Sequence, residues 1–110
     1  MRFNSVNQFN DDKVKYKMNP AVKVYTLRDV GFQQSNAGNF LLKRSLSNSM
    51  GQGPRLKIVI KKNLKQFKMD ITDGRGLRKV NIFDHQHSTA VENLNYIMNN
   101  LSLRKILQRT

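Results

Sequence analysis

Alternation of apolar and polar residues over one stretch of the chain constrains its fold more than any other feature. The stretch covers residues 55–83, RLKIVIKKNLKQFKMDITDGRGLRKVNIF, and is interrupted at Asn63 and at Asp73-Gly74-Arg75-Gly76. A period of two gives each strand one buried face and one solvent-exposed face, so the three runs predict a β-meander. The second interruption favours a tight hairpin turn, because it lies between strands and lacks the pattern of a phosphate-binding loop.

Further strands are predicted upstream, from alternation or from β-branched and aromatic residues. They cover residues 13–18, residues 22–27, and a hairpin formed by residues 32–34 and 40–46. In the first of them, alternation directs Tyr16 into the core and the lysines to water. Residues 28–31 are expected to form a turn.

One helix is predicted near the C-terminal end of the sequence. Thr89 and Glu92 have the spacing of a capping box, which satisfies free N–H groups at a helix start. Apolar residues then recur every three or four positions, at Ala90, Leu94, Ile97, Met98 and Leu101. This single apolar stripe predicts a helix packed on a sheet. Further apolar residues extend the prediction to Gln108.

Length, charge and cysteine content bound the class of protein. The sequence has 110 residues, which fits a single α+β domain over residues 1–110. Its net charge of +13 predicts attraction to polyanions. The sequence contains no cysteine, which excludes disulfides, thiolate catalysis and the commonest structural zinc sites. The first residues lack a signal-peptide core, and no run of about 18 apolar residues occurs, so a cytoplasmic protein without membrane association is expected.

Lysines on predicted strands indicate a basic sheet face that could bind nucleic acid. Non-specific affinity grows with the number of phosphates neutralised. However, the strand registers send Tyr16 and Phe67 to the core, where they are not available to stack on bases. A solvated sheet face therefore competes with a nucleic-acid site as the explanation of these lysines. The predicted face consists of Lys13, Lys15, Lys17, Lys57, Lys61 and Lys68.

Catalytic and metal-binding signals are weak. His85-Gln86-His87 could supply two metal ligands, but no third ligand follows at a spacing typical of metal sites. A solvated loop is therefore the favoured interpretation, and no metal site is predicted. Lying just before a helix, the histidine pair could instead help Arg75 or Arg78 to bind phosphate or carboxylate. No spacing pairs a nucleophile with a base, so no catalytic residue and no cofactor are predicted.

Four short motifs resemble a small bacterial family of unknown function that is loosely linked to amino-acid metabolism, including that of sulfur amino acids. They cover residues 25–32, 37–40, 67–69 and 76–83, within a similarity that spans residues 13–107. The resemblance implies an α+β domain with two antiparallel β-sheets packed against a single long C-terminal helix. It also implies remote architectural similarity to prokaryotic S-adenosylmethionine decarboxylases. Because this chain has no cysteine and no Glu-Ser step, no decarboxylase residue can be carried onto it.

The sequence therefore predicts a non-catalytic, accessory role in amino-acid metabolism. The expected partner is an anionic metabolite or an acidic protein, and the alternative is a nucleic-acid-binding module that uses the basic face. Arginine offers carboxylate and phosphate a bidentate fork. The predicted anion contacts are accordingly Arg28, Arg75 and Arg78, with His85 and His87 beside them.

Overall fold

A four-stranded antiparallel sheet forms the larger part of the fold. The computed structural model describes residues 3–9, 14–46, 53–73, 78 and 88–110. The sheet has the strand order β3-β4-β5-β6, with bounds β3 Gln33–Gln34, β4 Phe40–Ser45, β5 Arg55–Ile60 and β6 Phe67–Thr72. It confirms the predicted hairpin and the first two runs of the meander. The third run lies outside the described residues apart from Arg78, whose carbonyl oxygen accepts a hydrogen bond of 2.8 Å from the Asp73 N–H.

The alternation in the sequence directly produces the two faces of this sheet. Leu56, Ile58 and Ile60 of β5 are fully buried, and the residues between them are half-buried on the opposite face. The same alternation holds in β6, where Phe67 and Met69 are fully buried. The sheet therefore has an inner, apolar face and an outer face that carries its polar side chains.

A second, three-stranded antiparallel sheet has the order β1-β2-β7. Its strands are β1 Val6–Gln8, β2 Lys15–Met18 and β7 Leu107–Arg109. As predicted, Tyr16 and Met18 are buried and the lysines of β2 are exposed. The Tyr16 ring meets Phe9 edge-on, with the ring centroids 6.3 Å apart.

The two sheets meet where the chain enters β1. The N–H and carbonyl oxygen of Asn4 each form a 3.0 Å hydrogen bond with the backbone of Phe67 in β6. The buried Asn7 side chain adds a third link, because its Nδ2 donates to the Phe67 carbonyl oxygen at 2.6 Å. Phe67 therefore connects both sheets through its backbone.

Replacing Asn7 by alanine is expected to weaken this connection. The change removes a buried hydrogen bond and should lower the free energy of unfolding by about 1–3 kcal/mol. Urea unfolding of Asn7→Ala and of Ser5→Ala, an exposed neighbour, measures the effect. Equal stability of the two variants would show that the side-chain bond contributes nothing.

The C-terminal helix α2 covers the inner faces and spans Ser88–Leu103. Its five predicted stripe residues are all buried and belong to one core with both sheets. The helix begins one residue before Thr89, so Thr89 lies in the first turn and not at the predicted cap. Two antiparallel sheets packed with this helix confirm the predicted α+β class.

The predicted strand over residues 22–27 is wrong, because this segment contains the short helix α1, Val24–Asp29. Leu27 is fully buried and Val30, three residues later, packs against the core, whereas Val24 and Tyr25 are exposed. That spacing is helical. Packing on one face therefore overrides the β propensity of Val, Tyr and Thr. The turn expected at residues 28–31 is reduced to Val30 and Gly31, and Gly31 adopts a φ of +105°.

The predicted extension of α2 to Gln108 is also wrong. Lys105 adopts a left-handed φ of 57°, and the N–H of Ile106 donates to the Leu101 carbonyl oxygen at 3.0 Å. A Lys105 N–H bond to the Ser102 carbonyl oxygen completes a Schellman-type end. The chain reverses there, so Leu107 enters β7 opposite Met18, and Ile106 just before it is also buried without a further helical turn.

Candidate functional site

Cations collect on the outer face of the four-stranded sheet. The alternation that buries Leu56 and Ile58 directs Arg55 and Lys57 outward from β5, and Lys61 follows the end of that strand. Lys68 lies on the same face of β6, beside Val59, and Lys43 lies on the same face of β4. We call these side chains the lysine surface: Lys43, Arg55, Lys57, Lys61 and Lys68.

One row of the lysine surface sets two lysines directly opposite each other. Lys43 of β4 pairs with Lys57 of β5, and Lys57 pairs on its other side with Asp70 of β6. Like charges at opposite positions in a sheet destabilise the pairing. Asp70 offsets the charge of Lys57, whereas the exposed Lys43 has no carboxylate opposite it in the register. A bound anion would relieve this repulsion.

An aromatic side chain also lies on the lysine surface. The Nζ atoms of Lys68 and Lys61 lie 4.7 Å and 5.0 Å from the centroid of the Phe3 ring. These distances suit cation–π contacts, which hold both ammonium groups in place. Because two lysines already lie over the ring, Phe3 is not presented as a platform for a base.

A shallow depression of about 180 Å³ adjoins Lys43 on the same face. Gly31, Gln33 and Leu41 complete its lining. Gln33 pairs with Leu41 in the sheet, so the depression lies at the β3–β4 edge. An ammonium group and an amide beside an apolar wall can receive a carboxylate-bearing side chain.

Five of the six lysines of the predicted basic face are described, and they divide between the two sheets. Lys57, Lys61 and Lys68 lie on the lysine surface. Lys15 and Lys17 lie on β2, exposed on the outer side of the three-stranded sheet. Lys13 lies outside the described residues.

Arg28 and Arg78, the two predicted arginine contacts that the structure describes, do not lie around one anion. Arg28 Nη2 lies 3.4 Å from Gln34 Oε1, beside the start of β4. Arg78 is held next to Asp73, just beyond the end of β6. The starts of β4 and β6 lie at the same end of the sheet, so the Arg28 guanidinium and Arg78 lie at opposite ends of these six-residue strands, which are about 17 Å long. Arg75, His85 and His87 lie outside the described residues, and their proposed role stays a prediction.

Sequence reasoning missed Phe3 and Lys43. Lys43 could have been found, because it alternates with the buried Phe40 and Leu42 in β4. Phe3 carried no such signal, since its position depends on the bridge between Asn4 and Phe67, residues far apart in the sequence.

Among the described residues there is neither a metal-binding cluster nor a membrane-spanning helix. No group of three or more His, Cys, Asp or Glu side chains there could hold a metal ion. Within the same ranges, none of the helices has the length and apolar character needed to cross a bilayer.

Fold and surface together define a small basic α+β protein whose larger sheet carries five cations on its outer face. The family model described as "DUF1831: Putative amino acid metabolism" matches residues 1–108, and the chain belongs to this family. A crystal structure of a DUF1831 family protein from Lactobacillus plantarum is similar over 100% of this chain and 99% of that chain. The two share 36% sequence identity, with a TM-score of 0.93. No curated protein matches the chain.

Proposed function

We propose that this protein is a non-catalytic accessory component of amino-acid metabolism that binds an acidic protein partner through the lysine surface. The metabolic assignment comes from the family description. The binding assignment is supported above all by Lys43 and Lys57, which the sheet register holds opposite each other. Carboxylates from a partner would remove their mutual repulsion while adding charge-assisted hydrogen bonds.

The shape of the lysine surface favours a macromolecular partner over a small metabolite. Its cations are spread over three adjacent strands, and only Lys43 of the five lines the depression on this face. A partner with several carboxylates can contact many of them at once, and one side chain can enter the depression beside Lys43. The net charge of +13 would speed the encounter with an acidic surface.

A direct test compares two triple variants that lose the same charge. Lys43→Gln/Lys57→Gln/Lys68→Gln removes cations from the lysine surface, and Lys15→Gln/Lys17→Gln/Lys105→Gln removes exposed cations elsewhere. Binding of a fluorescent poly-glutamate peptide is measured by anisotropy at about 150 mM salt. We expect the first variant to bind roughly tenfold more weakly than the wild type and the second to change much less. Equal losses would mean that net charge alone attracts the peptide.

The alternative function is nucleic-acid binding, which the excess of lysine and arginine favours. A single-stranded oligonucleotide replaces the peptide in the same measurement. If phosphates are the natural ligand, the affinity should fall steeply with salt and should exceed that for poly-glutamate at equal charge. The lysines over Phe3 argue against base stacking, so we expect weaker and sequence-independent binding of the oligonucleotide.

The metabolic part of the proposal needs a separate experiment. Wild-type protein and both triple variants serve as baits in an extract of the source cell. An enzyme of amino-acid metabolism should be retained by the wild type and by the control variant, and lost with the lysine-surface variant. If all three baits retained that enzyme, the enzyme would bind the protein at a site other than the lysine surface.

A further inference from the structure

One residue breaks the alternation of β4 on the inner face of the sheet. Phe40, Leu42 and Leu46 follow the inward register and are buried. Arg44 occupies the inward position between Leu42 and Leu46, and its cross-strand partner is the fully buried Leu56. Its side chain is nevertheless exposed. A sequence rarely gives a core register to a charged residue without a compensating function.

Arg44 emerges beside a cleft between β4 and α2. The cleft lining also includes Tyr96 and Asn100, which lie one helical turn apart on the exposed side of α2. Apolar side chains form the rest: Val30, Leu42, Ile97 and Leu101. The cleft encloses about 20 Å³ and opens to about 250 Å³ including its solvent-filled mouth. The enclosed part fits about one methyl group or one water molecule.

The polar groups at the mouth of the cleft are available to a ligand. Within the described ranges, the Arg44 side chain makes no hydrogen bond, ion pair or ring contact. The Tyr96 side chain is 75% exposed although it is large and partly apolar. A guanidinium, a phenol and an amide thus surround an apolar floor, as in sites for small amphiphilic molecules.

We propose that this cleft binds a small monocarboxylate with a short apolar side chain. The guanidinium of Arg44 binds the carboxylate through a bidentate fork. The Tyr96 hydroxyl and the Asn100 amide donate to the remaining lone pairs of the carboxylate oxygens, and the alkyl group lies against Leu42 and Ile97. Because the enclosed part fits about one methyl group, one terminal methyl group of the alkyl chain enters it and the rest of the short chain lies in the mouth. The site lies on the opposite face of the sheet from the lysine surface, so it adds to the proposed function without depending on it.

The probe for this site is 3-methylbutanoate, with 3-methylbutan-1-ol as an analogue that has the same alkyl group and no carboxylate. Backbone amide shifts of the ¹⁵N-labelled protein are followed up to about 10 mM probe, which covers affinities expected for so small a ligand. We expect shifts at Val30, Ile97 and Asn100 with the carboxylate and much smaller ones with the alcohol.

Two single variants then test the role of the guanidinium. Arg44→Gln should weaken binding about tenfold, whereas Arg109→Gln, which removes the same charge from the exposed end of β7, should change it less than about twofold. Arg44→Lys should show an intermediate loss, since lysine keeps the charge and lacks the fork. Thermal melting confirms that each variant remains folded.

Two outcomes would overturn the proposal. One is the lack of any saturable shift in the cleft residues of the wild type. The other is an equal loss for Arg44→Gln and Arg109→Gln, which would indicate non-specific attraction. The lysine-surface triple variant should keep its affinity for 3-methylbutanoate, so failure of either proposal can be recognised without the other.

Discussion

Replacement of Phe67 by alanine is expected to lower the free energy of unfolding by about 3–5 kcal/mol. The Phe67 side chain is fully buried, so its truncation leaves a cavity in the inner face of the larger sheet. Its backbone pairs with Ile60 of β5 on one side and with Asn4 on the other. The substitution therefore removes packing at the place where the two sheets join. A domain of this size has a total stability of about 5–15 kcal/mol, so the variant should be close to unfolding at 37 °C.

Chemical denaturation of Phe67→Ala measures this effect, with Lys65→Ala as the control. Lys65 is exposed two residues earlier, and its replacement should change the stability by less than about 0.5 kcal/mol. Phe67→Leu should recover part of the loss, because leucine refills some of the cavity. A Phe67→Ala variant as stable as Lys65→Ala would contradict the placement of Phe67 in the core.

Replacement of Leu94 by alanine should cost about 2–5 kcal/mol. Leu94 lies in the middle of the α2 stripe, is 1% exposed, and packs in the core shared by both sheets. Since alanine is the best helix former, the loss reports packing and not helix propensity. The helix should remain but dock less tightly on the sheets.

Asn95 gives a matched control for this prediction, because it is exposed at the next position of the same helix. Asn95→Ala should be neutral or slightly stabilising, since alanine is the better helix former. Unfolding followed by far-UV circular dichroism compares the two variants with the wild type. Equal midpoints for Leu94→Ala and Asn95→Ala would rule out the packing of this face against the sheets.

The sequence predicted those elements whose side-chain pattern is repeated over several residues. Alternation through β5 and β6 and the stripe of α2 each leave one consistent apolar face, so secondary structure and burial could be predicted together. The segment of α1 is too short for such a pattern, and only the burial of Leu27 against the core decides its form. The end of α2 depended on the left-handed Lys105, a conformation that the residue type does not predict.

The candidate site was predictable to a smaller extent. Strand registers correctly placed Lys57 and Lys68 outside and Phe67 inside. They could not show that Lys15 and Lys17 belong to a different sheet, because strand order depends on contacts between distant segments. The position of Arg44 illustrates the same limit. Alternation assigns Arg44 to the core. Only the packing of α2 on the sheet shows that its side chain lies beside a cleft and is exposed to solvent.

The pairing of β2 with β7 has a consequence for how the molecule is assembled. Strands β4, β5 and β6 follow one another along the chain, so each can pair with the next as a hairpin. Strand β2 pairs instead with β7, which lies roughly ninety residues later in the sequence, and such a distant pairing forms more slowly. Until that partner arrives, one edge of β2 is open. The protruding ammonium groups of Lys15 and Lys17 would then repel the same strand of a second nascent molecule. The charge on β2 therefore disfavours edge-to-edge pairing between copies of the chain while β7 is not in place.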